Sequence, residues 1–186
     1  ATGVAVRYDP NASGTSKLVV GATGVAGSMT GTSQAGLALS NGQFILVAFG
    51  TGTYTFEGEM TADIDAGPAS ASGSVKVISN TAGNTATGTS IKVGATTLTV
   101  TADVNGDTIA TSGLKIGISD ALVLQGDLTY STVVQTLSGI DFRETSIANG
   151  SIQVKVGGVT LLASGIAGTF LNSDQGVVGK LAVGSV

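Results

Sequence analysis

This sequence predicts an all-β, antiparallel fold, a barrel or sandwich built from consecutive hairpins, and three observations predict it. The stretch 53–65, TYTFEGEMTADID, separates when read at every second residue: Tyr54, Phe56, Gly58, Met60, Ala62 and Ile64 against Thr53, Thr55, Glu57, Glu59, Thr61, Asp63 and Asp65. A period of two is that of a β-strand, whose side chains alternate between the faces of a sheet. The composition agrees: 29 glycines and 2 prolines in 186 residues, 42% hydrophobic and only 11% charged, leave little that favours helix. Finally, short apolar runs recur between turn signals at Asn41-Gly42, Asn105-Gly106, Asn149-Gly150 and Gly157-Gly158.

The elements follow in order. Thr2, Val4, Val6 and Tyr8 alternate with Gly3, Ala5 and Arg7 until Pro10 ends the run, so 1–10 holds a short strand set off by the loop at 11–16. Residues 17–21 continue into a Gly/Ser/Thr stretch, 22–35, with little hydrophobic drive. Runs at 36–40 and 43–49 flank Asn41-Gly42 and read as a hairpin. The second of them, FILVAF, does not alternate, which predicts cover on both faces. The strand at 53–65 would reach about 40 Å at about 3.3 Å per residue. Gly67-Pro68 turns the chain into 70–79, with Val75 and Val77 on one face and Lys76 on the other; 80–88 reads as a loop.

The remainder reads as hairpins. Residues 97–104 and 108–118 meet at Asn105-Gly106, and 122–128 turns near Gln125-Gly-Asp127 into 130–142. Asn149-Gly150 opens 151–156, Gly157-Gly158 turns it into 159–164, and 166–171 and 177–183 finish the chain. That makes about 10 to 14 strands at barrel or sandwich spacing. A sheet with one apolar face must bury it, by closure or against a second sheet. With no composition break after the first strand, 11–186 is expected to form a single β domain.

The chain contains no Cys, His or Trp. Disulfides, thiolate or imidazole metal sites and Ser–His or Cys–His nucleophiles therefore have no residues to use. A net charge of −4 and a pI near 4.5 would repel phosphate backbones, which excludes nucleic acid as a partner. No apolar run is long enough for a membrane-spanning helix. A start at Ala1 without Met, with Lys and Glu scarce, leads to the expectation of a secreted, extracellular or cell-surface protein after signal-peptide removal.

Glu57, Glu59, Asp63 and Asp65 place four carboxylates on one strand face. Their spacing of about 6 to 7 Å at i, i+2 lies in the glycosidase range, but such enzymes also need a cleft and sugar-stacking aromatics. Here Tyr54 and Phe56 point to the other face, so no catalytic residue is expected. The plain reading is a wet outer face that keeps a long strand soluble. The same four residues are the candidate ligands for a divalent cation, with calcium the only cofactor in view. Asp103-Val-Asn-Gly-Asp107 begins like a calcium loop, but Thr108 stands where Gly is needed and Leu114 where Glu is needed. The N-terminal strand carries the sharper idea. Its alternation and its place at a chain end suit a strand added to an open sheet edge, with Val4, Val6 and Tyr8 as subunit contacts. An edge contact that does not close propagates into a fibre. The plain alternative is pairing within its own fold.

GTYTFEGEMTADID followed by ASASGSVKVIS resembles the Gly-Thr-Tyr strand, acidic outer strand and Ser-Gly return of transferrin-binding-protein-B-like surface proteins of Gram-negative bacteria. Gly168-Thr-Phe170, Asp174 and Val177-Val-Gly179 are similar to the closing strands of that family's barrel. The sequence departs from the family in lacking the lipid-anchor Cys, and Gly168-Thr-Phe-Leu-Asn172 replaces its aromatic-rich closing element. The resemblance implies an eight-stranded up-and-down barrel on an extracellular, non-enzymatic protein, and carries over no ligand. The functional expectation is a non-enzymatic, self-associating structural subunit of a fibre, pilus or surface layer, joined by β-strand addition. The alternatives are a monomeric barrel that binds a host protein or ligand, and a virion structural protein.

Overall fold

The computed structural model describes residues 1–10, 15–30, 36–66, 69–118, 121–132, 134–137, 140–156 and 158–185. Most of the expected loop at 11–16, the end of the stretch 22–35, the Gly67-Pro68 turn and Gly157 lie outside the described residues.

The first five strands are β1 (Gly3–Asp9), β2 (Lys17–Thr30), β3 (Gly36–Phe49), β4 (Tyr54–Ala66) and β5 (Ala69–Asn80). An insert follows, with a 3-10 turn at Gly83–Ala86 and a small hairpin, β6 (Ser90–Val93) and β7 (Thr96–Thr99). The chain then continues as β8 (Gly106–Ile118), β9 (Leu122–Ser131), β10 (Gln135–Leu137), β11 (Ile140–Val156), β12 (Val159–Ser173) and β13 (Gly176–Ala182). All but β6 and β7 belong to one eleven-stranded sheet ordered β1-β2-β3-β4-β5-β8-β9-β11-β12-β13, with β10 on the flank of β11. Every pairing is antiparallel, and neighbours in the sheet are neighbours in the chain except where the insert separates β5 from β8 and where the short β10 separates β9 from β11. The hairpin-by-hairpin, all-β expectation therefore describes the molecule.

Closure does not. Among the described strands β1 pairs only with β2 and β13 only with β12, so the sheet is open and forms neither a closed barrel nor a sandwich of two large sheets. Among the described residues the only second layer is the β6–β7 insert, laid over one end of one face. The strand expected to stand apart at 1–10 is the first strand of the sheet, paired with β2 from Gly3↔Thr23 to Asp9↔Lys17. The alternation that would suit a donated strand suits pairing with its own neighbour equally well.

Four of the expected turns do not join the strands they were expected to join. Asn41-Gly42 sits inside β3 and Asn149-Gly150 inside β11, each at a register shift, with Asn41 and Asn149 both at φ 54°. A bulge and a tight turn both ask for positive φ, so Asn-Gly signals either, and strand continuity decides between them. Gln125-Gly-Asp127 likewise lies within an unbroken β9. Asn105-Gly106 is the point where the insert rejoins the sheet, because 97–104 runs over the sheet instead of pairing with β8. The register shifts in β2–β3, β3–β4, β5–β8, β8–β9 and β11 form a band across the sheet.

The buried core forms where the insert meets the sheet. Val19, Ile45 and Val47 from β2 and β3 pack with Ala86, Ile91, Val93, Leu98, Val100 and Ala102 of the insert, flanked by Ala5, Phe49 and Ile78. Gly21 lets the layers approach: a Cβ there would stand 2.5 Å from Ile91 Cγ2 and 3.0 Å from Val93 Cγ2. FILVAF is fully buried on one face only, that of Ile45 and Val47 under the insert; its other face, with Phe44, Leu46 and Ala48, is half-buried, so the run is not covered on both faces as expected.

Candidate functional site

Cross-strand partners share a face, so the register assigns every strand residue to one side of the sheet. The insert side carries the charge. Arg7, Lys17, Glu57, Glu59, Asp63, Asp65, Lys76, Lys115, Lys155 and Lys180 all belong to it. The opposite side is apolar in row after row. One row runs Val6, Val20, Leu46 and Phe56 before it reaches Ser79 and Asp107; another runs Ile64, Ala71, Ile116, Leu124, Ile152 and Ala163. Asp107, Asp141 and Arg143 stand at one margin, Asp107 next to the start of β8, Asp141 next to the start of β11 and Arg143 in the terminal pair with Asn172. Inside that margin the described residues of this face include no charge.

The wet-face reading of 53–65 holds for Glu59, Asp63 and Asp65, which are exposed, and fails for Glu57, which is 7% exposed. Glu57 lies under the insert. Its Oε1 accepts the backbone N–H of Thr101 at 2.5 Å and of Ala102 at 2.6 Å, and its Oε2 accepts the Thr101 hydroxyl at 2.9 Å. Lys76 Nζ stands 3.9 Å away and is 43% exposed, so its ionic contribution is small. A buried carboxylate requires such partners, and here its partners fasten the insert to the sheet. The conversion of Glu57 from surface to buried residue follows from that second layer.

Asn80 is the second fastening, where the insert leaves the sheet. Its Oδ1 accepts from Thr55 Oγ1 at 2.7 Å and Ala82 N at 3.0 Å, while its Nδ2 donates to the carbonyls of Gly83 at 2.9 Å and Val104 at 2.7 Å. Asn80 thereby ties the outgoing chain to the returning chain. Neither Asn80 nor the buried role of Glu57 was read from the sequence. Alternation through Ile91, Val93, Leu98, Val100 and Ala102 was the available signal, since it marks a second amphipathic hairpin with an apolar face of its own.

Beside Glu57, the insert and the sheet frame a cleft of about 280 Å³ lined by Gln43, Glu59, Lys76, Thr97, Thr99 and Thr101 among others. Its open part presents hydroxyl, amide and charged groups. Glu57, Glu59, Asp63 and Asp65 do not converge: among the described residues no group of three or more acidic side chains is placed to hold a metal ion. Asp127 bridges the bulges instead. Its Oδ2 accepts from Asn149 Nδ2 at 2.6 Å and its Oδ1 from Gly113 N at 2.7 Å. The Asn149 side chain first, then the Gly113 amide, hold its carboxyl below the ordinary value of 3.8.

The expected subunit contacts Val4, Val6 and Tyr8 stand on the apolar face at the β1 edge, each 64% exposed. At the far edge, β13 is exposed along its whole length. Among the described residues no helix is long and apolar enough to cross a membrane. The chain matches no protein-family model, no curated protein and no solved structure. Fold and site define the class alone: an open, two-faced antiparallel β-sheet with a clamped hairpin insert.

Proposed function

We propose that this protein is a non-enzymatic structural module, extracellular or surface-exposed, that self-associates by adding strands at its sheet edges. The observation that supports this reading is the open sheet: β1 and β13 each pair on one side only. A strand paired on one side presents a row of backbone donors and acceptors that another strand satisfies. Joining β13 of one copy to β1 of the next is a heterologous contact, which extends into a filament unless rotation closes a ring. Glu57 further supports a structural role, because its carboxylate is occupied in holding the insert.

Light scattering over a concentration series, with electron microscopy of the same samples, tests the reading. Growing linear or ring-shaped particles are expected. Proline at Val177 and at Val178, placed separately, puts the ring at both alternate positions of the β13 backbone, and the variant whose N–H faces outward should stop growth while keeping the fold. If deletion of residues 1–9 together with both proline variants leaves assembly unchanged, edge addition is wrong.

A further inference from the structure

The apolar face has far more surface than its edges need, and its chemistry selects what covers it. We infer that the face opposite the insert is the interface with a second copy of this chain, two sheets packing into a β-sandwich across a twofold axis. This adds lateral pairing to the edge contact and rests on the self-association reading only in taking the partner to be the same chain.

Four observations carry it. Large side chains on this face remain exposed: Val4 at 64%, Leu161 at 62%, Ile109 at 49% and Ile152 at 40%. Ten strands at about 4.8 Å spacing and about ten residues at about 3.3 Å give a face of roughly 1,400 Å². That exceeds the roughly 800 Å² each partner contributes to a standard interface. A face with no charge inside its margin also meets itself without like-charge repulsion, as an isologous contact requires. Finally, the edges are open. An open strand edge does not occur in the hydrocarbon of a bilayer, whereas an aqueous sandwich tolerates one. Lipid is thus the occupant the topology disfavours, although the face is oily enough for it.

The test uses the full chain. Ile116 and Ile152 lie in one row of this face, linked through Leu124, and both are surface residues of the single sheet. In Ile116→Lys/Ile152→Lys the lateral dissociation constant should rise by about 30-fold or more, since two ammonium groups would be buried against an apolar partner. Circular dichroism confirms that the sheet is retained. Because the chain has no cysteine, Ile116→Cys carries a single spin label that reads the partner's distance without a disruptive charge. Paired labels within about 40 Å are expected from sheets packed about 10 Å apart. Dimerisation unaffected by the lysine pair, or labels showing no partner, overturns the proposal. So does a wild-type chain that stays monomeric in buffer and partitions into phosphatidylcholine vesicles. Loss of association in the β13 proline variant, with the lysine pair still assembling, defeats the sandwich and leaves edge addition standing. Face pairing that survives in the proline variant, with filaments lost, supports both contacts.

Discussion

The two halves of this sheet are built to the same strand geometry and stabilised differently. From β1 to β5 one end of one face lies under the insert, and every buried hydrophobic residue among those described falls at or before Ala102. From β8 to β13 the strands run up to the 17 residues of β11, yet among the described residues none has a fully buried hydrophobic side chain. Ladder hydrogen bonds and alternation are sufficient to set the strands of both halves. A core requires a second layer, and among the described residues only the first half has one. The second half therefore depends on its neighbours along the sheet, and on whatever covers its apolar face.

The largest effect should come from breaking the covered half. Ile45→Ala empties a site that is 3% exposed and packed beneath the insert, and should cost about 2–5 kcal/mol by denaturant titration. A value below about 1 kcal/mol would mean that the insert does not stabilise this half.

Next is Glu57→Ala, which removes the acceptor of two backbone amides and a hydroxyl. Leaving the buried Ala102 amide and the part-buried Thr101 amide without their acceptor should cost about 1–3 kcal/mol. Hydrogen exchange should accelerate in 86–102 before it does in β8–β13. Uniform acceleration across the chain would show that the insert and the sheet unfold as one unit.

The third prediction concerns the bare half. Asp127 has a lowered carboxyl pKa in the folded chain, so its contribution is complete above the unfolded value of 3.8 and fades as pH falls through the lower folded value. Amide exchange at Gly113, corrected for intrinsic rates, should rise only in that acid window. Asn149→Gly removes the leading cause of the shift and should move the midpoint up toward 3.8. An unchanged midpoint would break the assignment.

The smallest effect sharpens the comparison. Leu161, 62% exposed on the apolar face, should tolerate Leu161→Ala within about 0.5 kcal/mol in the isolated chain. A larger loss that grows with protein concentration would show the face to be covered in solution.

Alternation in 53–65 specified β4 and its two faces, and the turn chemistry gave a strand number close to the observed set. Asn41-Gly42 and Asn149-Gly150 misled because positive φ belongs to bulges as much as to turns, and only the pairing of flanking residues across the sheet separates them. Glu57 misled for a different reason. Period two reports which residues share a face, and contains nothing about what lies over it. The resemblance to a transferrin-binding-protein-B-like barrel rested on β4, β5 and the closing strands, all of which are strands here, in a sheet whose first and last strands do not meet.

By itself, then, the sequence determined what is local: extended backbone, hairpin order, two chemically distinct faces and the absence of thiol or imidazole chemistry. Those follow from residue type and spacing of two. Tertiary structure alone decided that the sheet stays open, that residues 81–105 fold back over Val19, Ile45 and Val47, and that Glu57 is buried by them while Glu59 remains in water. These depend on which distant segments meet, where hydrogen bonds such as Thr101 to Glu57 span 44 positions of chain that no local periodicity encodes.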